Sequence, residues 1–113
     1  MHGNENFRLL ADHEHGYIGI CECCREFNVA YKNMLISFQE EEMMQFFDWI
    51  HANQFNPAHY MRLAHGRNRI FTSPHSNLYM VFTDEEIVEL LEMFGQVKLV
   101  LEAEKILLSN RMN

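Results

Sequence analysis

Residues 33–50, NMLISFQEEEMMQFFDWI, and residues 77–94, NLYMVFTDEEIVELLEMF, are one pattern written twice at an offset of 44 residues, without a gap. Asn33 matches Asn77, Phe38 matches Phe82, and Glu41 and Glu42 match Glu85 and Glu86. Met43, Phe46, Phe47 and Ile50 fall on Ile87, Leu90, Leu91 and Phe94. Both sets recur at i, i+3, i+4, i+7, the spacing of a helix with one buried face. Carried backwards, the offset also pairs His15 with His59, Arg25 with Arg69 and Phe27 with Phe71.

Each copy reads as strands followed by a helix. In the first, short apolar runs at 17–21 and 27–31 flank a turn, Asn33 opens a third strand at 34–38, and acidic residues from Glu40 suit the positive end of a helix dipole. In the second, strands are expected at 61–64, 69–72 and 77–82, with Pro74 ending a strand early. Thr83 followed by Glu86 is a capping box, so a helix should begin at Asp84. The expected fold class is therefore α+β: two tandem β-β-β-α repeats, residues 15–52 and 59–96, related by an approximate internal two-fold. Residues 53–57, polar and closed by Pro57, form the linker, and residues 1–113 form a single domain.

Beyond the second copy the helix is expected to continue to about residue 108, with a kink or break at Gly95. Its further apolar residues cover more than one face, and such a helix must be covered on most sides. The sequence favours a homodimer in which Val97, Val100, Leu101 and Leu108 meet a partner.

Composition narrows the function classes. The chain has 113 residues, 48% hydrophobic and 22% charged, enough to build a core without disulfides or metal. Its formal charge of −7 disfavours nucleic acid and anionic lipid, which bind through Lys and Arg. The one basic stretch is Arg62, Arg67 and Arg69, flanked by His59 and His65. No apolar run is long enough for a membrane span, and residues 1–12 lack the character of a signal peptide, so a cytoplasmic location is expected.

The chemical feature is the turn Cys21-Glu22-Cys23-Cys24-Arg25. Cys21-x-x-Cys24 at a hairpin tip has the form of a zinc-ribbon knuckle, in which two thiolates converge on one tetrahedral ion. The duplication sets His65 and Asn68 opposite Cys21 and Cys24, which makes His65 the candidate third ligand. A fourth would come from His13, His15, His59 or water. The bland alternative is that a cysteine simply packs under the turn. A redox CxxC is a third alternative, with Glu22 and Glu26 opposing the thiolate and Arg25 favouring it. The carboxylates at both helix starts read as dipole partners, the methionines and Trp49 as packing, and His13 and His15 as solvated.

The string G-Y-I-x-I-C-x-x-C-x-x-F, carried by Gly16, Tyr17, Cys21, Cys24 and Phe27, with Asn33 opening the following strand, resembles a family of short uncharacterised bacterial proteins known chiefly from Bacteroidetes. Residues 78–83, LYMVFT, with the acidic helix start after them, resemble its second half. Cys23 departs from a plain CxxC. The resemblance implies a cytoplasmic single domain in which Cys21 and Cys24 belong together, and it supplies no catalytic residue.

The sequence thus points to a small non-enzymatic binding or interaction module, with zinc as the candidate cofactor at Cys21, Cys24 and His65. The alternative is a metal- or thiol-dependent enzyme centred on the same three residues.

Overall fold

The computed structural model describes residues 6–73 and 77–112, without the side chains of His65 and Met112. Among the described residues, six strands and two α-helices follow one another as β1 (Phe7–His13), β2 (Gly16–Cys21), β3 (Glu26–Tyr31), β4 (Met34–Phe38), α1 (Glu40–Ala52), β5 (Arg69–Thr72), β6 (Tyr79–Phe82) and α2 (Asp84–Met112). Strands β1 to β4 form an antiparallel sheet in chain order, and β5 and β6 form a separate two-stranded sheet. The class is α+β. Among the described residues, no helix is long and apolar enough to cross a membrane.

Strands β2, β3 and β4 and both helix starts fall where the sequence places them. Each helix begins with a glutamate reaching back to the residue before it. Gln39 N–H donates to Glu42 at 2.9 Å, and Thr83 N–H donates to Glu86 at 2.8 Å, while Glu86 N–H donates to the Thr83 hydroxyl at 3.1 Å. Met43, Phe47 and Ile50 of α1 and Ile87, Leu90 and Phe94 of α2 are buried, and Phe47 stacks on Phe94 with ring centroids 4.4 Å apart. That stack joins the two helices at the centre of the core.

Strand β1 has no counterpart in the sequence reading, and its register gives the reason. The pairing with β2 shifts between Leu9 and Ala11, a β-bulge that buries the adjacent residues Leu10 and Ala11. A bulge of this kind breaks the period-2 alternation by which a strand is read. Close approach fixes β2 from both sides. A Cβ on Gly16 would sit 2.2 Å from the Ala30 carbonyl oxygen, and one on Gly19 would sit 2.2 Å from the Phe7 ring.

The second half departs from the expected meander. Residues 61–64 form no strand: Tyr60 makes an isolated bridge to Arg69, and a 3-10 turn occupies Ala64–Gly66. In the first half β2 is paired on both edges, by β1 and β3. At the 44-residue offset the place of β1 falls on residues 51–57, which close α1 and contain Pro57, so a third strand would have no partner on its far edge. The pattern found twice is strand, strand, helix; Pro74 lies outside the described residues.

Helix α2 runs unbroken through Gly95 for 29 residues, longer than expected. A Cβ at Gly95 would meet nothing within 4 Å, so the glycine weakens the helix by about 1 kcal/mol without a packing demand to bend it. Phe94, Val97 and Leu101 are buried around it, and α2 packs chiefly against β1 and β2. The unforeseen strand therefore covers much of the surplus apolar face of α2. Of the residues expected at a dimer interface, Val97 and Leu101 lie in the chain's own core, Val100 is half-buried against it, and Leu108 is 59% exposed.

Candidate metal centre

The hairpin β2–β3 closes with Cys21 paired to Glu26, leaving residues 22–25 as its tip. Arg25 N–H donates to the Cys21 carbonyl at 2.8 Å, and Arg25 takes φ +58° to complete the turn. Two ion pairs tether the tip: Arg8 to Glu22 at 2.9 Å and Arg25 to Glu40 at 3.5 Å. Arg8 also reaches Glu104 at 2.5 Å, tying the same tip to α2.

This backbone gathers three sulfurs. The Sγ atoms of Cys21, Cys23 and Cys24 all lie within 4.8 Å of one another. Cys21 Sγ and Cys23 Sγ are 3.1 Å apart, and the Cys24 thiol leans toward the Cys21 carbonyl at 4.0 Å. Cys21 is buried; Cys23 and Cys24 are exposed. The contact with Cys23, backed by hydrogen bonds from Cys24 and the turn, lowers the Cys21 thiol, while burial opposes that shift. The same contact with Cys21 pushes Cys23 up to about 11. A thiolate on one sulfur thus makes a second thiolate beside it unfavourable.

The three sulfurs could hold a metal ion. Thiolates at about 2.3 Å from a tetrahedral zinc stand roughly 3.8 Å from each other, so Cys21 and Cys23, 3.1 Å apart, would have to separate to share one. Cys23, which the sequence reading treated as an interruption, is the sulfur nearest Cys21.

Among the described side chains, no histidine joins the three sulfurs. The side chain of His65 lies outside the described residues. His59 stacks on Phe71 at 4.8 Å, and its Nδ1 lies 3.2 Å from the Ile70 carbonyl, so it packs under β5. His13 and His15 flank the other end of β2, and six residues of strand put them on the order of 20 Å from the sulfurs. Among the described residues, the ligating group at the tip is three cysteines.

Two arginines of the basic stretch, Arg67 and Arg69, pair within the chain. Arg67 meets Glu86 at 2.5 Å, and Lys32 meets the same carboxylate at 2.5 Å. Arg69 is buried against Asp84 and the carbonyls of Asn53 and Gln54, which close α1. Burial would raise the Glu86 carboxyl, but Lys32, the Thr83 N–H and Arg67 together hold it below the usual carboxylate range. A groove of about 960 Å³ separates the edges of β4 and β6, with Lys32, Arg67 and Glu86 in its wall. A second, of about 650 Å³, lies where Phe55 and Tyr60 face Val88. Neither groove is lined by a cysteine.

No curated protein and no solved structure matches the chain. The model of DUF6686, a family of unknown function, matches residues 1–112, and the chain belongs to that family.

Proposed function

We propose that the chain is a small binding module that holds zinc through the thiolates of Cys21, Cys23 and Cys24. The observation that carries this is the convergence of three sulfurs within 4.8 Å at the tip of one tethered hairpin. Soft thiolates select zinc over magnesium or calcium, and three protein ligands leave the fourth tetrahedral position to water or to a ligand from another molecule. The apolar core is complete without the ion, so zinc binds here without being required for the fold.

Elemental analysis of untagged protein, purified without chelators and kept reduced, tests this. About one zinc per chain is expected at the thiols, lost in Cys23→Ser/Cys24→Ser with the circular dichroism unchanged. Zinc content unaltered by that double substitution, or folded reduced protein that takes up no zinc, overturns it. The thiol-redox alternative, a CxxC couple of Cys21 and Cys24, predicts instead a disulfide between those two once the reductant is replaced by air, read by mass after alkylation.

Two further parts belong to this proposal. Gene duplication is supported by contacts repeated at the 44-residue offset, Arg25–Glu40 and Arg69–Asp84. A homodimer through the exposed end of α2 rests on Leu99, Ile106, Leu107 and Leu108, and a monomer mass by light scattering at micromolar concentration would remove it.

A further inference from the structure

At the opposite end of β2 from the cysteines, the β1–β2 turn carries His13 and His15 on either side of Glu14. Their rings stand 5.7 Å apart. Facing them from α2 is Glu89, whose Oε2 lies 3.1 Å from His15 Nδ1. One ligand atom from each of His13, His15 and Glu89 lies within 4.8 Å of the other two. We infer that these three residues form a second metal site, for a divalent ion of borderline softness such as zinc, independent of the thiols.

Three observations favour an ion over a simple histidine–carboxylate pair. First, a pair needs one imidazole, yet the hairpin brings two to the same carboxylate. Two imidazoles and a carboxylate are the His₂Glu ligand set of open zinc sites. Second, the carboxylate is already oriented. The buried Tyr31 hydroxyl donates to Glu89 Oε2, the kind of supporting hydrogen bond that fixes a ligating carboxylate. Third, the turn is held in place. Lys32 N–H donates to the His15 carbonyl at 2.7 Å, and Gly16 allows β2 to close on Ala30 where any Cβ would collide. Two contacts compete: the His15 N–H points at His13 Nδ1 at 3.2 Å, and His15 Nδ1 bonds Glu89 Oε2 at 3.1 Å; an ion ligated by these atoms would displace both.

The ligand set differs in kind from the cysteine tip, and so does its spectroscopic signature. Cobalt(II) bound by thiolates shows sulfur-to-metal charge transfer in the near ultraviolet; cobalt(II) bound by two imidazoles and a carboxylate does not. In Cys23→Ser/Cys24→Ser protein the expected result is one remaining cobalt or zinc ion, without thiolate charge transfer. Zinc should shift the His13 and His15 ring resonances in that background. His15→Ala and Glu89→Gln should weaken this binding by at least about tenfold, and Tyr31→Phe by about tenfold, the loss typical of a supporting partner. His15 is exposed, so His15→Ala should remain folded by circular dichroism and still bind metal at the thiols in the wild-type background. Absence of zinc-dependent ring shifts in the folded Cys23→Ser/Cys24→Ser protein overturns the site, as does binding equally strong in His15→Ala. Since the thiols are read by charge transfer and the imidazoles by ring shifts, either site can fail without the other.

Discussion

The ion pair Arg25–Glu40 and the ion pair Arg69–Asp84 occupy matching places, 44 residues apart, yet they inhabit different worlds. The Arg25 side chain is 57% exposed at the hairpin tip and meets Glu40 at 3.5 Å. The Arg69 side chain is 7% exposed and bonds Asp84 together with the Asn53 and Gln54 carbonyls. The two capping glutamates divide in the same way. Glu42 is exposed and holds only the N–H of Gln39, whereas Glu86 is buried and holds Thr83, Lys32 and Arg67. The same local pattern sits in two settings: at a solvated edge near Arg25, and as the joint between the helices near Arg69. The physical difference is dielectric and competition from water, and it predicts a graded series of effects.

The largest belongs to Arg69. Its partner Asp84 is mostly exposed and contributes little, but the carbonyls that end α1 would lose a buried charged donor. Arg69→Ala is expected to cost about 3 kcal/mol in chemical denaturation. Arg69→Lys should recover less than half, because one ammonium cannot span three acceptors. A loss below about 1 kcal/mol would mean that the joint between the helices rests on apolar packing such as Phe47 on Phe94.

Glu86→Gln comes next, at about 2 kcal/mol, discounted because Lys32 and Arg67 are each well exposed. Its pH dependence has a definite sign. The folded carboxyl lies below its ordinary value of 4.5, so its contribution is fully present above that pH and is lost as pH falls through the folded value. Glu89, lowered by the Tyr31 hydroxyl and by His15, acts in the same direction and survives in the variant. The stability gap between wild type and Glu86→Gln should therefore narrow below about pH 4.5, while both proteins weaken. A gap that stays constant into strong acid would show that the charge on Glu86 is not what holds Lys32 and Arg67.

Much of this was legible before any coordinates. The helix faces, the Glu86 cap, the Cys21–Cys24 turn and the start of α2 follow from local chemistry, and local chemistry is what periodicity and spacing record. What escaped depends on partners distant in sequence. Strand β1 hid behind a bulge that set Leu10 and Ala11 side by side in the core. Without β1 the surplus apolar face of α2 has no cover within the chain, which is why the sequence points to an intermolecular partner there. The second meander was overextended because a repeat in residues does not repeat their neighbours: β2 has β1 beside it, and residues 61–64 have the end of α1 and Pro57 at the equivalent place. Glu89 carried no signal at all, since only the folded chain brings it to His13 and His15.

Gly95 separates helix propensity from packing. A methyl group there meets no atom within 4 Å, and the residue is helical, so Gly95→Ala should stabilise the protein by about 1 kcal/mol and raise its melting temperature. The first-half helix has no glycine, so the gain would be confined to α2. Destabilisation would reveal that another chain approaches this face closely, and it would strengthen the case for a dimer along the exposed stripe of Val88, Leu99 and Ile106.

The smallest effects test the comparison most directly, because they require the first half to be indifferent where the second is not. Arg25→Ala removes an exposed pair at 3.5 Å and should change stability by no more than about 0.5 kcal/mol. Glu42→Gln keeps a hydrogen-bond acceptor for the Gln39 N–H and loses only an exposed charge near the helix start, for a few tenths of a kcal/mol. Arg25 has one other task in reach, since its N–H closes the turn that gathers the three sulfurs, and its φ of +58° is unfavourable for any side chain. Arg25→Gly should then relieve the backbone while leaving the pair broken, giving a protein at least as stable as Arg25→Ala with zinc uptake at the thiols unchanged. Weaker uptake in both variants would make the guanidinium part of the metal site and the pair with Glu40 functional; weaker uptake in Arg25→Ala alone would assign the effect to the shape of the turn.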